Sequence, residues 1–173
     1  MTTSNDLSAA PSHNLPEIQT IDAVTLLKQQ HRQVAEWFNE YESARSDLRK
    51  RDLASRICRA LRVQAAIKDE LFYPALLEAT DDLVMCETAV HERRDAQRLI
   101  EQIMQSSLID ELFDSKVRIL ADVIAQHVAE EECPGGIFEE AEESDMDLQA
   151  LGIQLQIRRY QLEQLLAPIH PYA

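Results

Sequence analysis

From residue 21 onward the chain sets apolar residues at helical spacing. Val24, Leu27, His31, Val34, Phe38 and Tyr41 recur three and four residues apart, so a first helix carries one apolar stripe with a histidine in its middle. Asp22 stands where an N-cap belongs. A second stripe, Leu53, Ile57, Leu61, Gln64, Ile67, Lys68 and Leu71, predicts a helix over about 50–78, kinked or ended by Pro74. A third, over about 82–106, aligns Cys86, Ala89, Arg93, Ala96, Ile100 and Ile103. The fourth, over about 109–132, aligns Phe113, Val117, Leu120, Ile124, His127 and Glu131 and stops at the CPGG turn, where Pro134 cannot continue a helix. The acidic run from Glu139 to Asp147 reads as a solvated loop, followed by a last amphipathic segment over about 147–166 with Leu148, Leu151, Leu155, Leu162 and Leu165.

Four long helices with short connections make antiparallel neighbours the default. The expected fold is therefore all-α, an up-and-down antiparallel four-helix bundle with an additional C-terminal helix. Residues 1–19, polar and holding Pro11, Pro16 and a solvated His13, read as a flexible tail; 20–167 form the bundle and 168–173, with an exposed His170, a short C-terminal tail.

Composition narrows the function. Asp and Glu number 31 against 17 Lys and Arg, a formal net charge of -14, which disfavours a nucleic-acid backbone or an anionic membrane as partner. The first residues lack the basic start and apolar core of a secretory signal, and no apolar run approaches the roughly 18 residues that span a bilayer. The three cysteines, Cys58, Cys86 and Cys133, are widely spaced and form no disulfide framework, so a cytoplasmic protein is expected. A protein partner or a homo-oligomer stays open. No phosphate-binding loop or nucleophile constellation is present, and the expectation is a non-enzyme.

The chemistry concentrates where the stripes are interrupted. His31 on the first helix, Gln64 and Lys68 on the second, Arg93 on the third, and His127 with Glu131 on the fourth each break an apolar face. Lysine and arginine are almost never fully buried without a partner, so four interrupted stripes point to a polar layer inside the bundle, where helix bundles also build metal sites.

Several segments resemble the hemerythrin (HHE cation-binding) family. LLKQQHRQV is similar to the family's first-helix segment, with His31 at its ligand position. VQAAIKDELFYPAL resembles a segment with the pattern VHxxxEE(I/L)xYPAL; registered on Tyr73 and Pro74, its histidine falls on Gln64 and its bridging glutamate on Lys68. AVHERRDAQRLI resembles the third-helix segment ending in a Glu-His pair, whose histidine falls on Arg93 behind Glu92. HVAEEE matches the histidine–carboxylate element through His127 with Glu131 or Glu132, and DLQALG resembles the C-terminal continuation.

The resemblance implies the bundle fold and a di-iron site, but three of its ligand positions hold residues that cannot serve. Gln64 offers a weak amide oxygen, while Lys68 and Arg93 have no lone pair near neutral pH and bring positive charge where cations should sit. His31, His127, Glu131 and Glu132 are the residual metal candidates. The expectation is a degenerate site in which Lys68 and Arg93 replace the metal charges and neutralise Glu131 and Glu132, with Gln64, His31 and His127 completing the hydrogen bonds. No cofactor is expected, and the function is a non-catalytic binding, sensory or structural one. The alternative is a residual metal site at His31, His127 and Glu131, joined by Glu70 or His91, for which the resemblance implies iron in oxygen or nitric oxide sensing or iron handling. Among nearby residues, Tyr73 is expected to pack, Asp69, Glu70 and His91 to be solvated, Cys58 and Cys86 to fill core or boundary positions, and Cys133 to be unreactive beside its acidic run.

Overall fold

The computed structural model describes residues 18–80, 83–107 and 110–166, with the side chains of 83–93 left out. The described residues are mostly helical and contain no strand. Helix α1 spans Ala23–Ser43 and α2 spans Asp47–Ile67. Asp22 caps α1 as expected, accepting from the Thr25 amide at 2.8 Å; α2 starts a few residues before the expected 50, where Ser46 accepts from the Arg49 amide at 3.1 Å, and each cap satisfies a donor that the first turn leaves free. A π-helical turn, Lys68–Phe72, joins α2 to α3, Tyr73–Thr80. Then follow α4, Leu83–Gln105; α5, Phe113–Glu132; α6, Ile137–Glu143; and α7, Leu148–Leu165.

Contacts between side chains far apart in sequence give the helix directions. At one end, Tyr41 donates to Asp114 (2.5 Å) and Lys50 binds the same carboxylate (2.7 Å). Toward the other, His31 meets Glu132 and Lys68 meets Glu131. Moving forward on α1 is therefore moving backward on α2 and α5. Helix α4 ends beside the start of α5, where Lys116 reaches Ser106. The four long helices run alternately up and down, as their spacing and short connections require.

Two apolar clusters fill the interior. One gathers Tyr41, Leu53, Ile57, Leu61, Ile100, Phe113 and Leu120; the other gathers Leu27, Ile67, Phe72, Leu76, Phe138 and Leu155. Along α1 and α2 the buried polar residues Gln30, His31, Gln64 and Lys68 fall between these clusters, and Glu131 joins them from α5. The interrupted stripes thus become a polar layer sandwiched by apolar ones.

Two features depart from the sequence reading. The acidic run is not all loop: Ile137–Glu143 is helical, because Ile137, Phe138 and Ala141 share one face and bury it while the glutamates stay outside. Leu165, read as a stripe residue, is 75% exposed at the end of α7. Helix α7 packs on α1 and α2, and Gly152 permits the approach: a Cβ there would lie 2.1 Å from the Ile21 carbonyl oxygen. Gln19, at the inner end of the expected tail, is bound to the Gln156 side chain through both its amide and its carbonyl. His13, His170 and residues 168–173 lie outside the described residues.

Pro74 accounts for the π turn. It has no amide hydrogen, and its ring would clash with the Glu70 carbonyl in a continuous α-helix. Widening the preceding turn, so that the Tyr73 amide bonds to the Lys68 carbonyl five residues back, lets the helical path continue through the proline.

Candidate functional site

The polar layer converges on one carboxylate. Glu131, at the C-terminal end of α5, is 4% exposed. Its Oε2 accepts from Lys68 Nζ at 2.6 Å; its Oε1 accepts from the Tyr73 hydroxyl at 2.8 Å and from His127 Nε2 at 3.1 Å. His31 Nδ1 lies 2.7 Å from Glu132 Oε1, and His31 Nε2 lies 3.3 Å from both Lys68 Nζ and Glu131 Oε2. Nε2 accepts from Lys68 when the ring carries its proton on Nδ1 alone, and donates to Glu131 when it carries one on Nε2.

Lys68 is therefore buried, 3% exposed, with its ammonium spread over Glu131 and His31. Burial alone pushes the Glu131 pKa up, but the Lys68 charge and the hydrogen bonds of His127 and His31 outweigh it and hold the carboxyl well below its usual range. Aromatic rings close the layer: Phe138 of α6 stacks on His31 at 5.6 Å between centroids, and Phe72 meets Phe138 edge-on at 5.8 Å. The α5–α6 turn holds Glu131 from behind. Gly135 takes φ 74° there, and Gly136 packs so closely on the last carbonyls of α5 that a Cβ would be 2.8 Å from the Glu131 oxygen.

The structure brings His31, His127, Glu131 and Lys68, the positions that periodicity and the family register both select, together with Glu132, which the register alone offered. Glu132 binds His31 rather than a described cation, so it is not neutralised directly by Lys68. Gln64 is buried but, among the described residues, makes no hydrogen bond to the cluster; it lines a pocket of about 40 Å³ beside His31, Lys68 and His127. Arg93, His91 and Cys86 lie on α4, but their side chains are outside the described residues.

Tyr73 does more than pack, since its hydroxyl holds Glu131. Glu70 is not drawn into the layer: it faces Arg158 of α7, whose hydrogen bond lowers its pKa. Asp69 is exposed. Cys58 is fully buried, which pushes its thiol up to about 12, and Cys133 is exposed with its Sγ donating to the Glu130 carbonyl. Phe138 was missed in the sequence because it sits in an acid-rich stretch; its signal was the spacing of Ile137, Phe138 and Ala141.

The family description "Hemerythrin HHE cation binding domain" matches residues 22–133, which contain α1 to α5 and every residue of this cluster. The chain belongs to the hemerythrin HHE family. The fold agrees: the crystal structure of a hemerythrin HHE cation binding domain-containing protein from Mycobacterium kansasii superposes with a TM-score of 0.68, at 21% identity, over 84% of this chain and 89% of that one. Among curated proteins none matches the chain. Within this hemerythrin-family bundle, no described helix is long and apolar enough to cross a membrane. Nor do the described residues contain a group of three or more His, Cys, Asp or Glu side chains arranged to hold a metal ion.

Proposed function

We propose that this protein is a non-catalytic hemerythrin-like bundle, acting in binding, sensing or as a structural element, in which basic side chains stand in for the charges of a di-iron centre. One observation carries the reading: the Lys68 ammonium sits 2.6 Å from Glu131 and 3.3 Å from His31, inside the set of groups that would otherwise ligate metal. An ammonium has no lone pair to give a metal, and its positive charge opposes a cation in the same place. The donor set therefore does not suit two irons. Arg93, at the family's third-helix histidine position, is assigned the second charge.

The approach of His31 Nε2 and His127 Nε2 to the two oxygens of Glu131 favours a second reading, a single cation held by these three after Lys68 is displaced. Iron handling or oxygen or nitric oxide sensing would then be in scope, as for the family at large.

Metal analysis separates the two. Protein purified without a tag and reconstituted anaerobically with ferrous iron is expected to retain almost no iron, zinc or manganese and to show no oxo-bridge bands in air. Stoichiometric binding of paired irons with such bands would overturn the proposal. A single equivalent lost on His31→Ala or His127→Ala would establish the second reading.

A further inference from the structure

Helix α7 is apolar on two opposite faces. Leu148, Leu151, Leu155 and Leu162 make the inner one, packed into the core cluster beside α1 and α2. About half a turn round the helix, Ala150, Ile153, Ile157, Tyr160 and Gln164 follow one another three and four residues apart. That is the spacing of a helix–helix seam, sustained over two heptads on the side away from the core. Ile153 and Ile157 are 40% and 39% exposed, Ala150 and Gln164 also face solvent, and Tyr160 is half-buried. A surface helix ordinarily turns charged or polar residues outward, and one with apolar residues all round is ordinarily covered. The outer face is short of charge as well. Gln149, Gln154 and Gln161 flank the seam, and Glu163, the one charged residue among those that α7 exposes, is ion-paired with Arg159 at 3.4 Å. Helix α1, by contrast, exposes Arg32, Glu36, Glu40 and Glu42.

We propose that the outer face of α7 is a self-association surface, on which a second copy of this chain packs its own α7 about a two-fold axis near Ile157. Charge decides the occupant. With a net charge of -14, two copies repel one another over most approaches, and this seam is a place where no like charges meet. A basic partner would find no row of carboxylates here, and an acidic one no row of cations. A two-fold contact requires the face to suit itself, which isoleucines flanked by uncharged glutamines do. Depletion of charge at the centre is also the compositional mark of an interface. The seam from Ala150 to Gln164 is about 21 Å long. Two faces of that length fall at or below the low end of the ~1,200–2,000 Å² of a standard stable interface, so the dimer forms reversibly. It does not depend on whether the polar layer binds metal.

Sedimentation velocity of the full chain, from micromolar to millimolar concentration and in low and high salt, tests the contact. A reversible monomer–dimer equilibrium is expected, tightened by salt, because salt screens the repulsion between the two acidic bodies while leaving an apolar seam intact. Ile157→Glu sets a carboxylate from each copy at the centre of the seam and should weaken dimerisation at least about tenfold. Ile119→Glu makes the same change at an exposed isoleucine of α5 and should alter it by no more than about twofold. A chain that stays monomeric throughout, association that salt dissolves, or equal effects of the two substitutions would overturn the proposal. The concentration and salt dependence are read on the unmodified chain, so they stand even if Ile157→Glu fails to fold.

Discussion

Lys68 and Tyr73 hold opposite oxygens of the same carboxylate, Glu131, although they are five residues apart. On a regular α-helix residues at that spacing point about 140° apart. The π turn between them brings both side chains to one side, so the backbone irregularity imposed by Pro74 is also what assembles the site. The ammonium and the phenol, together with His127, leave Glu131 with donors on both oxygens and its charge balanced in a place with little water.

Removing one partner should cost far more than the pair is worth. Lys68→Ala leaves Glu131 buried with its main counter-charge gone and is expected to destabilise the fold by about 3–5 kcal/mol in urea denaturation. Lys68→Met keeps the volume and should be tolerated better, and better still when combined with Glu131→Gln. Equal and negligible effects of the two lysine substitutions would show that the pair is not a structural replacement for metal.

The hydroxyl of Tyr73 is the neutral contributor to the same site. Tyr73→Phe keeps the ring and removes one charge-assisted hydrogen bond, so a loss of about 1.5–3 kcal/mol is expected. In a double-mutant cycle with Glu131→Gln, whose amide oxygen still accepts but carries no charge, the loss should shrink to about 0.5–1.5 kcal/mol; strict additivity would separate Tyr73 from Glu131.

The pH dependence has a definite sign. The Glu131 pKa is lower folded than unfolded, so its contribution is fully present above the unfolded carboxylate value of about 4.3 and is lost as pH falls through the folded value. The stability difference between the native protein and Glu131→Gln should therefore stay flat from neutral pH to about pH 5 and shrink only in stronger acid. A difference that disappears between pH 7 and 5 would contradict the assignment of a strongly ion-paired carboxylate.

Helix α7 depends on one missing side chain. Gly152→Ala would drive a methyl against the Ile21 carbonyl, and overpacking of this kind typically costs about 1–3 kcal/mol or more. A lowered melting temperature is expected, with the Gln19–Gln156 bridge loosened; an unchanged one would mean that α7 can shift without loss.

The helices, their order and the polar positions were legible in the sequence, because an amphipathic stripe records which face is buried. A charged or amide side chain in such a stripe has to meet a partner. His31, Gln64, Lys68, His127 and Glu131 were found this way without knowing what they touch. Other features were not legible. That Lys68 binds Glu131 while Glu132 turns to His31 depends on the relative rotation of α1, α2 and α5, to which α-helical periodicity is indifferent. Tyr73 entered the site because a proline widened the turn before it, and Phe138 covered His31 because α6 folds back after the glycine turn. The sequence by itself determined most of the residues that leave water along α1, α2 and α5, since burial there follows from local pattern and the hydrophobic effect has no direction; Leu165 and Phe138, on other helices, are the exceptions. Only the tertiary structure decided which of them meet, because hydrogen bonds and ion pairs form over a few ångströms and depend on how separate helices are rotated against each other.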